Sequence, residues 1–229
     1  MVEQFPVEKY ENKSIIIKPE SYFGCNLVSI PKDSLKFLEK VIAPQGMILD
    51  RIEQMAKDII DSNLGKTMHL LVIMKSAMMF SNYLQNYIIQ YKKAINTNPF
   101  YYDYVSTSSY ENDKSTGNVK ISGETKIFES LKGKDIIIVE DMYDSGKSMD
   151  ALLTYLKSFE PKSIKIACLF VKQNIEQLKY NLNIDYVGFL IPKNTFIVGF
   201  GMDFNELFRD LNHSCILSKE GFKELTEKK

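Results

Sequence analysis

The chain has 229 residues, 45% of them hydrophobic, and its 29 basic side chains balance 29 acidic ones. That length suits one α/β domain with modest additions, and the apolar share is enough for a proper core. Balanced charge excludes a global field that would draw in nucleic acid or an anionic membrane, so neither is expected as a partner. Cys25, Cys168 and Cys215 lie far apart with no Cys-x-x-Cys pair, which argues against a zinc site and a disulfide framework. Cys168 falls in an apolar strand and reads as a core thiol. The opening Met-Val-Glu-Gln lacks the basic-then-apolar order of a signal peptide. The longest apolar stretch, His69 to Phe80, is interrupted by Lys75 and is too short to span a bilayer. A soluble, cytoplasmic protein is expected.

Residues 1–30 alternate irregularly and predict an irregular arm with a short strand. From Leu49 to Asn63, one stripe carries Ile52, Met55, Ala56, Ile59 and Ile60, which predicts an amphipathic helix. Leu70–Met74 reads as a buried strand, with a helix following through about Ala94. Tyr101–Val105 alternates and predicts another strand. Thr107–Gly117 is small and polar, with Asn112-Asp113 and a closing glycine, and reads as a mobile loop. Ile136–Val139 is an unbroken β-branched run, the mark of a strand covered on both faces. It leads through two acids and a short polar turn into a helical stretch at Met149–Phe159. Strands follow at Ser163–Val171, Asp185–Phe189 and Phe196–Val198. This alternation predicts an α/β fold, a mainly parallel sheet flanked by helices with right-handed crossovers. We expect a single domain over 1–229 with its core at about 35–180. The N-terminal arm (1–34) and the segment 185–229 would form a small hood lobe over the strand ends.

The stretch from Asp135 to Ser148 is the most informative part of the chain. Glu140 and Asp141 sit at the carboxyl end of the predicted strand, where ligands bind in open α/β sheets. Two side-by-side acids on a strand end face opposite ways and need not share one job. Asp144, Ser145, Gly146, Lys147 and Ser148 then lead into a helix start, whose amides and positive dipole end form a phosphate seat. Acids for sugar hydroxyls beside a seat for phosphate point to a phosphorylated sugar. Gly146-Lys147-Ser148 also ends the Walker pattern, but that pattern's first glycine falls at position 141, which is Asp. The bland alternative is a turn in which Asp144 or Ser145 caps the helix. A cap requires neither the upstream acids nor the lysine.

This motif resembles the phosphoribosyl-pyrophosphate loop of the type I phosphoribosyltransferases. With Ile191-Pro192, Phe196-Ile197-Val198-Gly199, Ser109 to Gly117, and Phe208-Arg209-Asp210-Leu211-Asn212-His213, the resemblance narrows to the hypoxanthine-guanine phosphoribosyltransferase family. It covers nearly the whole chain, from Ile30 to Gly221. The resemblance implies purine salvage: a purine and magnesium-bound phosphoribosyl pyrophosphate give a nucleoside monophosphate and pyrophosphate. It implies Glu140 and Asp141 as ribose ligands, directly or through Mg2+, with Asp203 a further magnesium ligand at the purine and pyrophosphate side. It implies Asp144 as the acceptor of a purine ring proton, and residues 144–148 as the 5′-phosphate cradle. Lys172 would donate to the purine 6-oxo group, Phe196 would stack on the base and the Ile197 backbone would bond it. Lys75, Ser76 and Arg209 would contact pyrophosphate. Ser109 and Tyr110 would belong to a lid that excludes water.

The chain also departs from that family. Its usual Lys-Gly step, whose peptide bond can be cis, is here Lys75-Ser76. Ser106-Thr107-Ser108 replaces a stretch that commonly carries two positive charges. Lys193-Asn194-Thr195 is one residue longer than the usual spacer, and Gln173-Asn174 stands where Arg-Thr is frequent. These changes predict weakened binding of phosphoribosyl pyrophosphate with the chemistry retained. The alternative is a diverged relative that binds nucleotide as a sensor or partner subunit. Kinship further implies a homodimer or homotetramer, with Pro44–Arg51 resembling a segment at subunit contacts.

Overall fold

The computed structural model describes residues 5–95, 99–111, 114–180 and 182–227, and within them every side chain except those of 92–95, 108–111, 114–120 and 175. The first half runs β1 (Ile15–Ile16), α1 (Lys32–Leu35), β2 (Leu38–Ala43), α2 (Gln45–Asp61), β3 (Met68–Met74), α3 (Met78–Ile95), β4 (Phe100–Glu111) and β5 (Lys114–Ser122). The second runs α4 (Thr125–Glu129), β6 (Asp135–Tyr143), α5 (Lys147–Lys157), β7 (Ser163–Lys172), β8 (Tyr186–Ile191), β9 (Ile197–Val198), β10 (Ser214–Leu217) and α6 (Lys219–Glu227).

Seven strands form one sheet in the order β1-β8-β7-β6-β3-β4-β5. Every neighbouring pair is parallel except β4 and β5. The chain winds outward from the middle, β3 leading to β4 on one side and β6 to β7 and β8 on the other. The direction of winding therefore reverses between β3 and β6. Crossovers leave that point on opposite faces, which opens a crevice at the carboxyl ends of the two strands.

Alternation along the strands feeds two cores. Leu70, Val72, Ile137, Val139 and Phe189 meet α2 and α3 on one face. Leu71, Ile73, Ile136, Ile138 and Leu190 meet α4 and α5 on the other. The stripe on α2 is the one its sequence predicts, with Ile52, Met55, Ala56, Ile59 and Ile60 all buried. Arg51 on the same helix donates from Nε to Gly188 O (3.2 Å) and from Nη2 to Val187 O (2.8 Å), fixing α2 to β8. Cys168 is fully buried in β7, and its thiol is pushed up by burial.

A second sheet, β2-β10-β9, is antiparallel and covers a third core built on Leu38, Val41, Val198, Leu211 and Cys215. Its make-up shifts the lobe boundary read from the sequence. β8 and β1, expected in the hood, are strands of the large sheet. β2, expected in the core, belongs to the small one. The cause is that Tyr186–Ile191 is buried along its whole length and pairs with β7, whereas β2 pairs with β10.

A second correction concerns Thr107–Gly117, expected as a loop. Outside residues 112–113, which are not described, its backbone lies in β4 and β5, paired antiparallel from Ser106↔Ser122 to Glu111↔Lys114. Serine and threonine hide the apolar alternation by which a strand is read, while threonine and tyrosine still favour extended backbone. Among the described residues, no helix is long and apolar enough to cross a membrane.

Candidate active site

Residues 140–148 carry the chain from the end of β6 into α5, at the point where the winding reverses. Ladder pairing with β3 stops at Val139, and beyond it only β7 continues alongside. The two carboxyls influence each other electrostatically, Asp141 helping to raise Glu140. Asp141 is 5% exposed, and Glu140 is half-buried. Burial drives both toward the neutral acid: Glu140 rises well above the usual carboxylate range through desolvation and the neighbouring Asp141, and Asp141 is pushed up to about 6 by desolvation. Arg209 draws Asp141 down and Asp203 draws it up, so these acids share one electrostatic neighbourhood with the loop 199–209.

Gly146 caps α5 at φ 89°, with no side-chain cap; Asp144 and Ser145, suited to capping by type, stand just before it. Glycine is needed here twice over, because the backbone is left-handed and an added Cβ would lie 2.6 Å from the Tyr143 hydroxyl. The Asp150 amide bonds back to Gly146 O at 2.9 Å. The amides of residues 147–149 precede it at the helix start, where no intrahelical acceptor exists. In front of the turn lies a cavity of about 170 Å³ lined by Thr107, Glu140, Asp144, Ser145, Gly146 and Ser148. A helix N-terminus opening on such a space is a seat for an anion.

Lys172 ends β7 beside this turn. Its ammonium lies 2.8 Å from Asp144 Oδ2, with the lysine side chain 13% exposed and the aspartate 47%. Asn174 Nδ2 donates to the other oxygen, Asp144 Oδ1, at 2.9 Å. Gln177 Nε2 lies within hydrogen-bond reach of the carbonyl oxygens of Tyr143, Asp144 and Lys172.

The turn between β3 and α3 brings in the remaining cations. Arg209 Nη1 donates to Ser76 Oγ (3.1 Å) and to Gly201 O (2.9 Å), and Nη2 lies 2.8 Å from Asp203 Oδ1. Glu206 stands between two of the predicted pyrophosphate ligands, 3.3 Å from Lys75 Nζ and 3.3 Å from Arg209 Nη2. Gly201, at φ 95°, lets its loop press on the turn: a Cβ there would lie 2.2 Å from Ser76 O. Phe200, Asn205, Glu206 and Phe208 in the same loop adopt left-handed backbone, and such strain concentrates at functional sites. The cis peptide bond lies between Met74 and Lys75, one position before the Lys75-Ser76 step.

Phe196, which its apolar type alone would place in the core, is 43% exposed. It meets Phe204 and Phe222 edge-on. Ile197 is buried in β9 opposite Ile216. Ser109 and Tyr110, expected in the lid, have backbone in β4, and their side chains lie outside the described set. Among the described residues, no three metal-type side chains converge. Sequence reasoning missed Asn174, Gln177 and Glu206. The signal for the first was available, since Asn followed three residues later by Gln is a helix-start pattern, and Asn174 Oδ1 does accept from Glu176 N–H.

The sequence pattern of the phosphoribosyl transferase domain matches residues 40–205. Hypoxanthine-guanine phosphoribosyltransferase from Mus musculus is 39% identical over 212 residues, covering 90% of this chain and 94% of its own. The Homo sapiens enzyme of the same name is 38% identical with the same coverage. Among solved structures, hypoxanthine-guanine phosphoribosyltransferase from Schistosoma mansoni, in complex with IMP, superposes with a TM-score of 0.74 at 27% identity, covering 92% of this chain and 98% of that one. A hypoxanthine phosphoribosyltransferase from Staphylococcus aureus gives 0.70 at 26% identity, with 84% and 98% covered. Sequence match, identity and fold agree with the crevice between β3 and β6: the chain belongs to the phosphoribosyl transferase family, on its hypoxanthine-guanine branch.

Proposed function

We propose that the chain transfers the 5-phosphoribosyl group from phosphoribosyl pyrophosphate to hypoxanthine or guanine, giving IMP or GMP and pyrophosphate in purine salvage. The observation that carries this reading is the convergence of the Glu140–Asp141 pair, the Asp144–Ser148 turn and Lys172 on one crevice. The anomeric carbon breaks its bond to a pyrophosphate oxygen and forms one to a purine nitrogen. Asp144 takes up the proton that this nitrogen, or its ring partner, must lose. The amides opening α5 hold the 5′-phosphate, while Glu140 and Asp141 hold the ribose hydroxyls. Lys172 turns from Asp144 to the 6-oxo group, and Phe196 offers its exposed ring to the base. Lys75, Ser76 and Arg209 receive pyrophosphate. Residues of β4 and β5, including Ser109 and Tyr110, close over the reacting atoms.

Magnesium fits this donor set. Two carboxyls forced toward neutrality by burial and mutual repulsion become a hard-oxygen pair once a dication is near, and magnesium prefers one or two carboxylates completed by water and substrate oxygens. Glu140 and Asp141 would hold it, where it offsets the charge of the departing pyrophosphate. Asp203, engaged by Arg209, would reach it on the pyrophosphate side. Three unpaired cysteines suit a reducing, cytoplasmic setting, and kinship favours a homodimer or homotetramer. Steady-state assays with hypoxanthine, guanine, xanthine and adenine at saturating magnesium and phosphoribosyl pyrophosphate test the reading. Formation of IMP and GMP without AMP is expected. Binding of GMP with no turnover of any base overturns it.

A further inference from the structure

We infer that Asn174 is a positioning residue for the Asp144 carboxylate, and that it becomes the main hold on that carboxylate once Lys172 engages the purine. The inference deepens the reading of Asp144 as proton acceptor and rests on it. Asp144 sits on a turn with nearly half its side chain in water, so nothing in its own surroundings fixes its rotamer. Two donors do so instead, on different oxygens: Lys172 on Oδ2 and Asn174 on Oδ1. In the proposed reaction Lys172 turns toward the 6-oxo group, and an ammonium shared between two acceptors holds Asp144 less firmly. Asn174 has no such second duty.

Its geometry is built for the task. Asn174 is 3% exposed. Its Oδ1 accepts from the Glu176 amide at 3.1 Å, and its own amide donates to Lys172 O at 2.8 Å. With Oδ1 committed to the Glu176 amide and the backbone N–H to Lys172 O, the carboxamide is turned so that Nδ2 faces Asp144. Gln177, one turn further and 6% exposed, ties the backbone of Tyr143, Asp144 and Lys172 together. The donor and its target therefore ride on one rigid unit, the condition under which an orienting bond improves catalysis. The pair Gln173-Asn174, set down from sequence as a departure from Arg-Thr, supplies this chain's own means of aiming its base.

Asn174→Asp separates positioning from folding. It is isosteric and keeps the acceptor for Glu176 N–H, so the turn survives, but it replaces the donor to Asp144 with an oxygen. With guanine as the variable base, kcat is expected to fall about ten-fold or more, the scale of a lost hydrogen bond to a charged group, while KM for phosphoribosyl pyrophosphate stays within about two-fold. Asn174→Ala should lose a similar factor in kcat and also lower the melting temperature. Asp144→Asn, measured alongside, should fall much further, and adding Asn174→Asp to it should cost little more. A near-normal kcat for Asn174→Asp beside an impaired Asp144→Asn overturns the positioning role and leaves the base in place. A near-normal kcat for Asp144→Asn overturns the assignment of the base and this inference with it.

Discussion

Asp144 and Lys172 stand 2.8 Å apart, although one follows β6 and the other closes β7. The parallel register Tyr143↔Val171 brings the two strand ends level, so the ion pair is a direct product of sheet pairing. With the aspartate half in water, the pair contributes little to stability. Its value is positional: it parks the proposed purine ligand next to the proposed proton acceptor.

Lys172→Ala should therefore act on specificity more than on folding. Replacement removes the donor for a 6-oxo group, and we expect kcat/KM for guanine and hypoxanthine to fall on the order of a hundred-fold, with adenine nearly unaffected. Unchanged preference for oxopurines would assign the discrimination to another group. The melting temperature should move by no more than a few degrees.

Glu206 lies between Lys75 and Arg209 as an internal anion. Arg209 and Lys75 together draw its carboxyl below the usual range, so it is ionised at neutral pH. On the proposed reading, an incoming pyrophosphate group displaces it from both cations. Glu206→Gln should lower KM for phosphoribosyl pyrophosphate by about two- to five-fold, a small factor because Lys75 and Glu206 are largely exposed and salt screens them. Titration of KM against sodium chloride checks the origin: the advantage of the variant should shrink as salt rises.

The Glu140–Asp141 pair makes stability depend on pH in a defined direction. Both carboxyls bind protons more tightly in the folded state than in the unfolded chain, where Asp and Glu titrate near 4. Their contribution is fully present below pH 4 and is lost as pH rises through about 6, where Asp141 ionises in the fold. Glu140→Gln removes one buried charge. In chelator, its melting temperature should match that of the parent near pH 4 and exceed it increasingly toward pH 7. Parallel curves across that window would mean that the two acids are already solvated.

Gly201→Ala tests the contact between the lobes. A methyl group 2.2 Å from Ser76 O, at φ 95°, has nowhere to go, because the obstacle is backbone. We expect a loss of roughly 2–4 kcal/mol by urea denaturation, together with a raised KM for phosphoribosyl pyrophosphate and little change in KM for guanine.

How much of this could be read from sequence depended on burial. Ile136–Val139 and the α2 stripe declare themselves because both are apolar in a pattern only one backbone geometry satisfies. β2 and β10 do not show in the sequence because they are short: Glu39 and Lys40 interrupt the apolar run of β2, and the four residues of β10 are too few to reveal a period. Thr107–Gly117 reads as a loop, although Tyr101–Val105 before it reads as a strand, because Thr107 and Ser108 carry strand backbone without strand hydrophobicity. At the site, the residue types at 140–148 stand out in the sequence, but their mutual distances do not follow from it: the 2.8 Å approach of Lys172 to Asp144 depends on the register of β6 with β7. Glu206 was passed over because nothing local to it hints at Lys75, a residue distant in sequence whose ammonium it meets.

The approach of Gly201 to Ser76 joins main chain to main chain, with no side chain between to absorb movement. Any shift of the turn after β3 is therefore handed undiminished to the 199–209 segment and, through it, to the small sheet. On the proposed reading, exit of the inorganic product would then involve the whole lobe, giving mutations far out on β10 a route to the turnover rate.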